Sequence, residues 1–290
     1  MSLKKTRHIV IAGVVLPVLL LALSASTAAA PITFLVSGSS PSDIQATVDA
    51  YRAALGALNP NVGGSFGSGR RESNWDGVPD SFSAPNNLPA NFFNSNSPRG
   101  AVFSTPGTGF QVSATAASGT PVRFGNINAS YPNTFQAFSQ QRLFTALGSN
   151  ILDVNFFVAG TNTPAFVSGF GAVFTDVDLA NTTSIEFFDL NNNSLGTFFA
   201  PTANNGLSFV GVFFNAGERI GRVRITNGNT VLGPNDGGSV DVVVMDDFIY
   251  GEPNAATPEP ATLLLLSTGL LTGVAALMRR QRNASLNEKG

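Results

Sequence analysis

The sequence predicts a mainly β protein: a single jelly-roll-like β-sandwich with one amphipathic helix near its N-terminal end, flanked by an apolar segment on either side. Three observations lead there. From about residue 101, short β segments follow one another at regular spacing with turn residues between them: AVFS, GFQVSAT, PVRFGNI, LDVNFFV, FVSGFGAVFTDV, TTSIEFFDL, SLGTFFA, LSFVGVFF, RIGRVRIT and VDVVVMDDFIY. That rhythm belongs to sandwiches and jelly rolls. All 24 phenylalanines fall within residues 31–252, doubled at 156–157, 187–188, 198–199 and 213–214. Doubled aromatics mean that both faces of a strand are covered, or that one face is presented to a partner; burial in a thick sandwich is the expected case. The chain has no cysteine, so this core is held without disulfides.

The elements follow in order. Residues 1–28 run from a basic stretch, MSLKKTRH, through the apolar IVIAGVVLPVLLLALS to a small-residue patch. This is the layout of a secretory signal peptide, with the cut near Ala28 or Ala29. Ser40-Pro41-Ser42-Asp43 is a helix entry, with a capping serine, a proline at the first helical position and an acid in the first turn. Ile44, Val48, Tyr51, Leu55 and Leu58 then recur at helical spacing, so a helix is expected over about 41–56, packed on the sheet. Residues 59–100, rich in Asn, Gly, Pro and Ser, read as a long loop ordered by an ion. Asn191-Asn192-Asn193 marks a tight turn, and RVRIT alternates charged and apolar residues. The body ends at about 252, and residues 253–257 are a linker.

Composition removes most chemistry. Outside the two ends the chain has nine arginines, no lysine and no histidine against sixteen acidic residues, a net charge of −7. A Ser-His-Asp triad, a Cys-His pair, a Schiff base and a His-ligated zinc are all excluded. So is the basic footprint of a nucleic-acid binder. Gly169-Phe170-Gly171 runs into a strand pattern rather than opening a helix, so it is no dinucleotide turn. Only carboxylates remain for catalysis. A glycosidase needs two acids about 5–10 Å apart with one pKa raised, and no pair in this sequence stands out.

The acids suggest metal instead. Glu72, Asn74, Asp76 and Asp80, with Gly77 between them, alternate oxygen donors as a calcium loop does, and resemble an acidic repeat of thrombospondin type 3. A polar turn closed by a proline is the other reading. Asp246 and Asp247 sit in the last strand, where side-chain alternation lets only one of them point toward a calcium ion, the other pairing with an arginine such as Arg222 or Arg224. Asp176 and Asp178 share a face, and a sheet-end turn is the expected reading there. Trp75 and Tyr131 are the aromatics that could stack on a sugar ring; Trp75 could equally cover the apolar base of its own loop, the favoured reading.

At the C-terminal end, Pro258-Glu259-Pro260 precedes an uncharged run over residues 261–278 and then Arg279, Arg280 and Arg282. Eighteen helical residues span roughly 27 Å, close to the hydrocarbon thickness of about 30 Å. The arginines hold their end, and the tail 283–290, in the cytoplasm. The order of parts over 258–282 resembles the PEP-CTERM sorting signal of Gram-negative bacteria. The resemblance implies export, an exosortase as partner, and a cell that makes exopolysaccharide. The strands over 100–250 are also similar to galactose-binding-like and carbohydrate-binding jelly rolls. In such domains an acid of the last strand can ligate a structural calcium. The expected function is a non-enzymatic structural or adhesive protein of the envelope or exopolysaccharide matrix. A carbohydrate-binding module and a carboxylate-based polysaccharide hydrolase are the alternatives.

Overall fold

The structure is a computed structural model that describes residues 30–256 and six scattered positions between 269 and 280. The expected signal peptide, most of the apolar run 261–278, Pro258, Glu259, Pro260 and Arg282 lie outside the described residues. Among the described residues, no helix is long and apolar enough to cross a membrane. Arg279 and Arg280 are helical and exposed.

Fourteen strands follow one another along the described chain: β1 Ile32–Gly38, β2 Arg70–Ser73, β3 Ala101–Ser104, β4 Gly109–Val112, β5 Phe144–Leu147, β6 Ile151–Phe156 and β7 Ala165–Phe166, then β8 Gly169–Val177, β9 Ser184–Asp189, β10 Ser194–Phe199, β11 Ala203–Phe213, β12 Ile220–Thr226, β13 Val244–Gly251 and β14 Asn254–Ala255. The larger sheet has the order β1-β11-β8-β13-β5-β4, with β2 also paired to β13; the smaller has the order β10-β9-β12-β6-β3, and β14 pairs β7. All pairings between these strands are antiparallel. The chain crosses repeatedly between the two sheets, as in a jelly roll.

The sheets meet over a core in which Phe103, Val154, Phe156, Phe187 and Val223 of the smaller sheet face Phe110, Phe144, Phe170, Phe174, Phe248 and Tyr250 of the larger. The larger sheet is buried on its other face too. Helix α1, Pro41–Leu55, lays Ile44, Val48, Tyr51 and Leu55 on Val173, Leu207, Phe209 and Ile249. A third cluster of Phe124, Tyr131, Phe135, Leu143, Val242 and Val244 lies beside β13. Two-sided covering explains why β8 and β13 are buried along their whole lengths and why both Phe213 and Phe214 are packed, while in the smaller sheet alternation turns Phe156, Phe187 and Phe198 toward the core. The smaller sheet's outer face is open. There Phe188 is capped by the Arg222 guanidinium, 3.7 Å above its ring, and Phe199 is exposed.

Several expectations are corrected. Leu58 is 55% exposed rather than on the helix face, because the helix stops at Gly56, whose φ of 99° no continuing helix adopts. PVRFGNI is not a strand: Arg123 and Phe124 take φ of 48° and 63°, which drops Phe124 into the third cluster. β1, β2, β5 and β14 were not foreseen; β14 lies in the stretch 253–257 read as a linker and is tied to the body by its pairing with β7. The segment 59–100 is not all loop: it contains β2 and a helical turn at Phe92–Ser95, and a buried arginine gathers it. Arg71, fully buried, pairs with Glu252 at 2.6 Å and donates to the carbonyls of Pro60, Val62, Gly64 and Pro98.

Candidate functional site

The four residues of the expected calcium loop do not converge. Glu72, on β2, is held by Arg52 at 3.0 and 3.1 Å and by Arg70 at 2.6 Å. Asn74 is exposed. Asp76 accepts the backbone N–H groups of Gln141 and Arg142 at 3.2 Å, and Asp80 pairs with Arg142 at 2.5 Å. Strand pairing of β2 to β13 turns Glu72 toward helix α1, while the following loop turns the other way around the buried Trp75.

Asp246 and Asp247 point to the same side of β13. The register with β8 shifts between Met245 and Phe248, where three steps on β13 match two on β8. This β-bulge breaks the alternation on which the one-sided expectation rested. Asp246 accepts the N–H groups of Phe138 and Ser139 at 2.6 and 3.2 Å. Asp247 accepts the Ser139 hydroxyl at 2.6 Å and Arg52 at 3.3 Å. Burial raises Asp246 well above the usual carboxylate range, and the neighbouring Asp247 carboxylate adds to the effect. Burial also raises Asp247, against the Ser139 hydroxyl and Arg52. The partner arginine is Arg52, not Arg222 or Arg224, both of which hold Asp153 at 2.8 Å. A guanidinium stands beside Asp247 and two backbone N–H groups hold Asp246 Oδ2.

Neither expected sugar-stacking aromatic is at the surface. Trp75 is 1% exposed, stacked on Phe144 at 4.0 Å with its indole N–H donating to the Asp246 carbonyl at 2.8 Å. Tyr131 is fully buried. Its hydroxyl donates to the Gly233 carbonyl at 2.6 Å and so pins the loop before β13.

Among the described residues, the one group of three acids with oxygens within 4.8 Å of one another is Asp176, Asp178 and Asp236. It forms at the end of β8. Opposite Asp176 the register of β11 slips between Ala203 and Leu207, and the N–H of the displaced Asn205 binds Asp176 Oδ1 at 2.7 Å. Asp176 itself takes φ of 67°, a region aspartate tolerates better than most residues. Burial pushes Asp176 up to about 8, against the Asn205 hydrogen bond and with help from Asp178 and Asp236. Asp178 is raised as well, by burial and then by Asp241 and Asp236. Asp236 comes from the loop that Tyr131 pins, its Oδ1 accepting the Val242 N–H at 3.2 Å. Asp241 supports the base of the site by accepting the N–H groups of Asp178 and Leu179 at 3.1 and 3.3 Å and the Thr182 hydroxyl. Sequence spacing brings Asp176 and Asp178 together but not Asp236, which lies far along the chain; its only local signal is the Asn235-Asp236-Gly237-Gly238 turn.

The body closes where the tail begins. The Ala256 N–H donates to the Pro164 carbonyl at 2.9 Å, just after β14. No curated protein and no solved structure matches the chain. The PEP-CTERM protein-sorting motif matches residues 256–281, which include Pro258, Glu259, Pro260, the apolar run, Arg279 and Arg280. The chain therefore carries a PEP-CTERM sorting signal, which marks an exported protein, anchored in the membrane by its tail, as a substrate of exosortase.

Proposed function

We propose that the body is a non-enzymatic structural or adhesive protein of the cell envelope, delivered to the surface or to the exopolysaccharide matrix once its tail has been processed. The observation that carries this reading is the joint at Ala256. Among the described residues, the last backbone hydrogen bond of the sandwich falls on the first residue of the sorting motif. Removing the tail thus frees a body whose core is complete. Outside the Asp176, Asp178 and Asp236 group, the chemistry of the interior supports the same reading. Glu72, Glu252 and Asp247 are engaged by arginines, Asp246 is engaged by backbone N–H groups, and Trp75 is spent on packing. The surface left for a glycan is the open face of the smaller sheet, with Asp153, Asn155, Arg222, Arg224 and Phe199. A face with so little exposed aromatic area binds weakly per domain, so adhesion rests on many copies displayed together.

The test is to incubate the purified protein with exopolysaccharide of the producing cell and to measure bound protein and newly formed reducing ends. Binding without new reducing ends is expected. Turnover that disappears on replacing a single carboxylate would establish the hydrolase instead.

A further inference from the structure

We propose that Asp176, Asp178 and Asp236 hold a calcium ion at the end of β8. The first support is geometric: one oxygen from each carboxylate falls within 4.8 Å of the others. Calcium takes carboxylate oxygens at about 2.4 Å in a flexible shell, which such a grouping can supply.

The second support is independent of clustering. Asp176 is 2% exposed. Its Oδ1 is satisfied by Asn205, yet its Oδ2, facing the other two acids, meets no hydrogen-bond donor, and Asp178 Oδ1 is shielded and unpartnered in the same way. A buried carboxylate oxygen without a donor or a cation is costly.

The third support is charge. Arginines pair Glu72, Glu252, Asp80, Asp153 and Asp247, but among the described residues no ion pair reaches Asp176, Asp178, Asp236 or Asp241. A divalent cation supplies what the arginines do not. The donors are all hard oxygens, and the body has no imidazole or thiolate to draw a softer metal. The ion ties the loop between β12 and β13 to the end of β8.

The full chain in detergent, stripped with EDTA, is titrated with calcium chloride by calorimetry, and its melting temperature is followed with and without calcium. One ion per chain and a rise in melting temperature are expected, since the ion binds the folded state. Asp236→Asn, on a surface loop, and Asp178→Asn each weaken binding by more than about tenfold. The paired control Glu72→Gln with Asp76→Asn leaves the affinity unchanged. No calcium uptake at millimolar concentration, or full affinity in Asp236→Asn, overturns the assignment. Loss of binding in the paired control overturns it as well, by placing the ion on the loop after β2.

Discussion

Arg71 shows how one buried side chain gathers a long loop. Its guanidinium meets Glu252 in a two-point pair, at 2.6 and 2.9 Å, with both side chains fully buried. The remaining N–H groups satisfy loop carbonyls that have no strand partner. Removing one member of such a pair leaves a buried charge, so Arg71→Met should cost about 3–5 kcal/mol in urea unfolding. The double variant with Glu252→Gln should regain a large part of that loss, and a failure to regain any would show that the loop contacts, not the charge, dominate. Asp246 gives a different prediction. Its folded-state pKa is raised by burial and by Asp247, so the folded chain binds the proton more tightly than the unfolded chain. Its stabilising contribution is full below the ordinary value of 3.8 and is lost as pH rises through the raised value. Asp246→Asn keeps a carbonyl for the Phe138 N–H and has no proton to lose. The melting temperature of the variant minus that of the wild type should therefore grow as pH rises above 3.8; a flat difference would contradict the shift.

Among the elements, helix α1 was legible almost to the residue. Its apolar spacing is local, and its entry is local too: the Ser40 N–H and hydroxyl both donate to Asp43 Oδ2 at 2.9 Å. That it packs on the sheet was legible; which strands it packs on was not. Tyr51 lies in a bed of glycines, where a Cβ on Gly171 would stand 2.8 Å from its ring and one on Gly211 2.9 Å. This is the structural use of the Gly169-Phe170-Gly171 segment. Gly171→Ala should cost about 1–3 kcal/mol by overpacking, and less in a Tyr51→Leu background, where the ring is gone. Equal cost in both backgrounds would place the strain in the sheet rather than under the helix. The strands read correctly were those with clean alternation or flanking turns, such as β9, β10 and β12. β2 was missed because Arg70-Arg71-Glu72-Ser73 has no apolar residue; what makes it a strand is its partner β13, far away in sequence. The acid cluster was half legible for the same reason. Asp176 and Asp178 share a face by period, while Asp236 joins them only through the loop that Tyr131 holds.

For the molecule as a whole, the sorting signal was the most legible feature, because its order of parts is written in sequence and needs no tertiary partner. Closure of the body at Ala256 predicts that a chain ending there unfolds at the same urea midpoint as the full chain; a lower midpoint would mean that the tail packs on the sandwich. Intact mass measurement of surface-extracted protein should show both apolar ends removed, and a mass that keeps residues 261–290 would contradict processing. The position of β13 has a further consequence. It lies between β8 and β5 and also pairs with β2, yet it is the last long strand to be made, and only nine residues separate Gly251 from the apolar run that begins at Ala261. Even fully extended, those residues reach roughly 30 Å. A chain that emerges from its N-terminal end first cannot close the larger sheet until this strand arrives, and by then the tail is already in the bilayer. Final closure is therefore an event at the membrane surface, in a tethered molecule kept apart from neighbours whose open sheets it would otherwise meet.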